Sequence, residues 1–194
     1  MRTGGGKLSR TIGATALLAL LALAGCGSGA KPANKGGITF NGKTATLQFL
    51  SPVAGNGGVL PAANTCDGTN TWPAMGWSTV PPETAELVLF VVAFSPSGSL
   101  SVQWALGGLR PETHLIEPRK LPAGAVLGRN NIGRTRYSIC PTRGTTASYL
   151  FILYALPRPL NLHRGFSGQE VLGKVSEASF NAPFGAFITT YKRA

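Results

Sequence analysis

Apolar residues in this chain fall into short blocks with the period of strands, apart from one late stretch at helical spacing. Glu86–Phe94 reads Glu-Leu-Val-Leu-Phe-Val-Val-Ala-Phe. A continuous run rich in Val and Phe predicts a central strand buried on both faces. Thr44–Leu50 predicts a first strand, Ser101–Leu106 and Ser148–Leu156 two more, and Ala186–Tyr191 the last. Clusters of Gly, Pro and Asn between them mark turns. Ser167-Gly168-Gln169-Glu170 is a Ser-x-x-Glu capping box. There the Ser167 hydroxyl can accept from the Glu170 amide while the Glu170 carboxylate accepts from the Ser167 amide. Val171, Leu172, Val175 and Ala178 then share one face, predicting a helix over 168–178. The expected class is a mostly β domain whose long irregular segments build a site.

The N-terminal pattern is different. Arg2, Lys7 and Arg10 precede an uncharged Ala- and Leu-rich run from Ile12 to Ala24. That run is short for a bilayer span, which takes roughly 20 apolar residues, and it suits a secretory signal. Leu23-Ala24-Gly25-Cys26 resembles a bacterial lipobox. The resemblance implies cleavage before Cys26, diacylglycerol on its sulfur and an acyl group on its new amine. Residues 1–25 are therefore expected to be a lipoprotein signal peptide. Residues 26–37, rich in Gly, Ser, Ala, Lys, Pro and Asn, are expected to be the lipidated Cys and a flexible tether. Residues 38–194 would be one folded domain. The expected location is the bacterial cell envelope, outside the cytoplasm and lipid-anchored to a membrane.

The full chain carries a formal charge of +11. Losing the three basic residues of the signal leaves fifteen against seven acidic ones, a net +8. Such a charge favours anionic surfaces and ligands, and on an anchored protein the nearest is its own membrane. No nucleic-acid recognition motif accompanies it, so nucleic acid is not an expected partner. Cys66 and Cys140 remain after lipidation; a disulfide and a pair of buried thiols are both open. No Cys-x-x-Cys is present, and His114 and His163 are the only histidines, so no metal site or cofactor is expected. Both histidines read as exposed loop residues. No Gly-x-Ser-x-Gly, His-Glu-x-x-His or phosphate-loop motif is present, and the carboxylates form no acid–base pair in sequence, so no enzyme is expected. Asp67, before Gly68, reads as a turn residue, and Lys192 and Arg193 as solvated chain-end charges.

Several motifs in fixed order carry a family resemblance. They are Thr65-Cys66-Asp67-Gly68-Thr69-Asn70 with Trp72-Pro73-Ala74-Met75-Gly76-Trp77, then Val80-Pro81-Pro82-Glu83-Thr84 before the central strand. Gly128-Arg129-Asn130-Asn131-Ile132-Gly133 leads on to Tyr137-Ser138-Ile139-Cys140-Pro141. Tyr149-Leu150-Phe151-Ile152-Leu153-Tyr154-Ala155-Leu156 and the ending Thr190-Tyr191-Lys192-Arg193 complete the set. Together they resemble the phosphatidylethanolamine-binding protein family, in its bacterial Raf-kinase-inhibitor-like branch. The resemblance implies an antiparallel β-sandwich with Greek-key connections and a few peripheral helices. It also implies a small anion-binding cavity at one end of the central sheet.

The family's polar cavity residues are largely replaced. Ser95-Pro96 stands where the family has Asp-Pro, and Gln103-Trp104 where it has His-Trp. Ser138-Ile139-Cys140-Pro141-Thr142 replaces a Gly-Pro-x-Pro-Pro turn, and a second His maps to about Ala147. By that mapping the candidate ligand-binding residues are Ser95, Gln103, Trp104, Cys140, Pro141 and Tyr149. Ser95, Gln103 and Tyr149 could hydrogen-bond a neutral or weakly anionic ligand. Arg129, Arg134, Arg136 and Arg143 fall in one Gly- and Thr-rich stretch and are candidates to attract an anion from a loop. The expectation is a non-enzymatic binding module for a small anionic or headgroup ligand, with a degenerate pocket. The alternative is a protein-interaction or inhibitor protein of the kinase- or protease-regulator type, with a vestigial pocket.

Overall fold

A computed structural model of the chain describes residues 38–94, 99–177 and 181–194. Four long strands dominate: β6 (Glu86–Phe94), β7 (Leu100–Leu109), β10 (Thr146–Leu156) and β11 (Phe184–Lys192). Among the described residues, seven short strands edge the main sheet and build two smaller ones. These are β1 (Thr39–Phe40), β2 (Lys43–Thr44), β3 (Phe49–Leu50), β4 (Gly58–Val59), β5 (Met75–Trp77), β8 (Leu115–Ile116) and β9 (Val126–Leu127). The main sheet has the order β4-β11-β10-β6-β7-β9, antiparallel except for the β4–β11 pair. A smaller sheet has the order β3-β5-β8, and β1 pairs with β2. After β7 the chain visits the small sheet through β8, returns through β9, and only then lays β10 on the far side of β6. That crossing is of Greek-key type.

β6 is central because alternate residues feed two different cores. Leu87, Leu89 and Val91 pack with Phe151 and Leu153 of β10 and with Phe49, Met75, Trp77 and Ile116 of the small sheet. Val88, Phe90 and Val92 pack on the opposite face with Ile152, Tyr154 and the helix α1 (Gly168–Ser176). A small sheet, a large sheet and a helix thus form the layers, and β6 is buried on both sides as its continuous apolar run predicts. Each such side chain contributes about 1.5–3 kcal/mol relative to exposure.

The helix begins where its capping signal lies: the Ser167 hydroxyl accepts from the Glu170 amide at 3.3 Å. Val171, Leu172 and Val175 form its buried face; Ala178 lies outside the described residues. Gly168 is needed at its start. A Cβ there would stand 2.7 Å from the Arg129 carbonyl oxygen and 2.9 Å from the Ala105 Cβ, so only glycine lets α1 sit this close to β7.

The first predicted strand needs correction. Thr44–Leu50 is not one strand: Lys43–Thr44 pairs with β1, while Phe49–Leu50 pairs with β5 in the small sheet. Between them Thr46 and Leu47 donate backbone hydrogen bonds to the Phe184 carbonyl, so the segment turns across the end of β11 from one pairing to the other. The other four strands are present: Glu86–Phe94 has its predicted bounds, and the remaining three extend one or more residues beyond theirs. Cys26 and the segment 26–37 lie outside the described residues, as does Ser95.

Candidate functional site

The β6–β7 pairing contains two irregularities, and one of them shapes the site. Val91 faces Trp104 while Val92 faces Val102, so Gln103 is the extra residue of a β-bulge. A bulge bends its strand and re-aims a side chain. Here it brings Gln103 to a cavity shared with Ala93, Ala147 and Tyr149, while Val102 stays in the helix-side core. The Gln103 amide nitrogen donates to the Ser101 hydroxyl at 2.8 Å and to the Ser101 carbonyl at 3.1 Å. Its own carbonyl accepts from the Ser138 amide at 3.2 Å. Gln103 is therefore fixed from both its side chain and its backbone.

The cavity measures about 520 Å³ and is lined by Gln103, Cys140, Pro141 and Tyr149, four of the six predicted ligand-binding residues. Ala147, where the family's second imidazole would fall, also lines it, beside Ser148. Thr142, Thr145 and Thr146 add hydroxyl-bearing residues, and no charged side chain lines the cavity among the described residues. Trp104 is not part of that lining and is a correction to the predicted set. It is fully buried, stacked on Trp72 at 5.1 Å between ring centroids and edge-on to Tyr137 at 5.7 Å. Placing two large rings against it costs Trp104 all access to a ligand and makes it a packing residue.

Tyr149 sits on β10 with its ring in the core, and burial pushes its hydroxyl pKa up to about 12. Tyr137 behind it is raised well above the ordinary value, chiefly by burial and then by Tyr149. Its hydroxyl donates to the Asn64 carbonyl at 2.9 Å. Both phenols are neutral donors at physiological pH.

The cavity wall is cross-linked. Cys66 and Cys140 form a disulfide, which decides between the two possibilities left by the sequence. The Cys66 amide donates to the Ile139 carbonyl at 2.9 Å, and the Ile139 amide donates to the Asn70 side chain at 3.1 Å. The Thr-Cys-Asp-Gly segment and the Ser-Ile-Cys-Pro segment are thus neighbours in space. Asp67 and Arg193 are a second correction. Asp67 is more than a turn residue: it accepts from the Tyr191 hydroxyl at 2.7 Å and from Arg193 Nε at 3.0 Å. Arg193, instead of being solvated, also donates through Nη1 to the Pro141 carbonyl at 3.2 Å, bracing the cavity wall. The sequence signal for this brace is an Asp beside Cys66 together with a Tyr-Lys-Arg ending, two motifs that lie far apart in the chain.

The four predicted arginines do not form one group. Arg134 and Arg136 project from a loop organised by buried Asn130, whose Oδ1 accepts from the Ile132 and Arg134 amides and whose Nδ2 donates to the Arg136 carbonyl. Arg143 lies in the turn between the lining residues Thr142 and Thr145. Arg129 belongs elsewhere, its backbone bonded to Phe166 and Gly168 beside the start of α1. All four are exposed, as are His114 and His163.

Residues 50–186 match the family model described as phosphatidylethanolamine-binding protein. The chain belongs to the phosphatidylethanolamine-binding protein family. A protein of Mycobacterium tuberculosis with the name "Putative lipoprotein LppC" is 34% identical over 186 residues, covering 89% of this chain and 92% of that one. YbcL of Escherichia coli is 32% identical over 135 residues, 61% of this chain and 73% of that one. The crystal structure of E. coli YbcL, described as a new member of the mammalian PEBP family, superposes with a TM-score of 0.67 at 24% identity. It is matched over its whole length and over 77% of this chain. The PEBP homologue CT736 of Chlamydia trachomatis gives the same TM-score and identity over 78% of this chain and all of its own. These likenesses bear out the antiparallel sandwich as the fold.

Proposed function

We propose that this family member is a non-enzymatic binding protein, held outside the cytoplasm by a lipid on Cys26, whose cavity takes a small neutral or weakly anionic ligand. The observation that carries the reading is the open cavity of about 520 Å³ at the end of the main sheet, walled by Gln103, Tyr149, Cys140 and Pro141. Gln103 is tied back to Ser101 instead of filling that space. With uncharged amide and hydroxyl groups in place of imidazoles and a carboxylate, recognition is by hydrogen bonding and shape. The name of LppC supports the lipid anchor, together with the Leu23-Ala24-Gly25-Cys26 sequence. Calorimetric titration of the purified full chain at low salt, with phosphoethanolamine, inorganic phosphate and neutral polyols, tests the cavity. Saturable one-site heat, weakened by Gln103→Ala and unchanged by Lys192→Ala, supports the reading. Silence with every ligand class, or heat indifferent to Gln103→Ala, overturns it.

A second reading, an interaction or inhibitor protein acting on an extracytoplasmic protease, is favoured by one surface. Leu50, Gly76 and Leu115 stand in register across the small sheet, and both leucines are exposed. Loss of protease inhibition on Leu115→Ser, with cavity binding intact, would select this reading over the first.

A further inference from the structure

The cavity is neutral inside, but its rim is not. On one side the Asn130–Arg136 loop contributes Asn131 to the cavity lining. From that loop Ile132 projects with 56% of its surface exposed, beside exposed Arg134 and Arg136. On a second side the turn between lining residues Thr142 and Thr145 presents exposed Arg143. On a third, Phe94 lines the cavity and is itself 37% exposed. No acidic residue occurs between Glu117 and Glu170, the stretch that supplies most of this rim. Asp67, the carboxylate that interacts with Arg143, is already paired with Arg193 and Tyr191.

An exposed aliphatic tip flanked by arginines matches the two components of an anionic bilayer surface. Apolar side chains enter the headgroup–acyl boundary, and arginines meet the phosphates that surround them. The loop is also built to hold that shape. Asn130 is buried and bonds the Ile132 and Arg134 amides and the Arg136 carbonyl, while the Asn131 amide donates to the Val102 carbonyl at 2.7 Å. These bonds tie down the backbone on both sides of the tip, which lowers the entropy lost on docking.

The geometry points to Ile132, Arg134, Arg136, Arg143 and Phe94 as a membrane-docking surface that seats on an anionic lipid bilayer and turns the cavity mouth toward it. This stands apart from the ligand reading: the surface can dock whether or not the cavity is occupied.

The test uses the full chain mixed with phosphatidylglycerol or phosphatidylcholine vesicles carrying brominated acyl chains, which quench tryptophan at contact. In the Ile132→Trp variant the added fluorescence should be quenched on phosphatidylglycerol vesicles and spared on phosphatidylcholine vesicles. Arg134→Gln in that background should lower the quenched fraction at limiting lipid on the order of fivefold, and raised salt should do the same. Absence of quenching on phosphatidylglycerol, equal quenching on both lipids, or indifference to Arg134→Gln overturns the proposal. The parent chain offers an independent readout: amide hydrogen exchange across Asn130–Arg136 should slow with phosphatidylglycerol vesicles, and unchanged exchange there also overturns it. Calorimetric failure of the cavity ligands would leave these results untouched, so the two readings fail separately.

Discussion

The Tyr191 hydroxyl donates to Asp67 Oδ2 at 2.7 Å, joining residues 124 positions apart. Arg193 adds its own bond to the same carboxylate and a second to Pro141. Charge-assisted bonds of this kind favour the ionised acid.

The Asp67 pKa is accordingly lowered from the ordinary 3.8, first by the Tyr191 hydrogen bond and further by Arg193, against partial desolvation. A depressed folded-state pKa stabilises the fold above the unfolded value and loses that contribution as pH falls through the folded one. Asp67→Asn should lower Tm at neutral pH. The gap from the parent should close as pH drops below about 3.8, as read by calorimetric melts across acid pH. A gap that persists unchanged into strong acid would refute the role given to the carboxylate charge.

The disulfide closes a separation of 74 residues. Chain-entropy reasoning assigns such a loop about 4.5 kcal/mol. Reduction, or Cys66→Ala with Cys140→Ala, should lower Tm on the order of 10 °C for a domain of this size. The two apolar cores on either face of β6 do not depend on the disulfide and should keep the fold native below that lowered Tm. Far-ultraviolet circular dichroism with and without reductant measures both.

Tyr149 provides an alkaline counterpart. Its folded pKa is raised to about 12 from 10.0, so the fold favours the neutral phenol. That stabilisation is complete below pH 10, the unfolded value, and declines as pH rises toward 12. Spectrophotometric titration should show delayed phenol ionisation in the folded protein. Tyr149→Phe should reduce the slope of stability against pH above 10.

Trp72 stacks on Trp104 and donates through Nε1 to the Glu117 carbonyl at 2.8 Å. Trp72→Ala should cost about 3 kcal/mol, since it removes a ring from the core edge and exposes the buried face of Trp104. Trp72→Phe should retain most of the stack and lose the hydrogen bond, about 1 kcal/mol. Urea melts of the two variants separate packing from the bond. Equal losses would show that the ring itself contributes little.

Local pattern alone carried the large elements. The unbroken apolar run Glu86–Phe94 requires burial on both faces, and it is the strand with a core on each side. Ser167 and Glu170 encode the helix start at a separation of three residues, a distance the chain itself enforces. The ordered motifs also marked Gln103, Cys140, Pro141 and Tyr149 as cavity residues, because each sits next to an aromatic or Pro landmark whose place in the family is recognisable. Tertiary structure alone decided the rest. Thr44–Leu50 has strand composition, yet its two ends pair with different partners, and pairing is a property of the neighbour. Gln103 reaches the cavity only through a register slip between β6 and β7, which no single-strand periodicity contains. Trp104 has a landmark position but is sealed by Trp72 and Tyr137, brought in from distant segments. Asp67 and Arg193 look like separate surface charges until the fold closes 126 residues between them. Electrostatics and hydrogen bonding act over a few ångströms of space, so their partners are set by which segments the packed core brings within that reach.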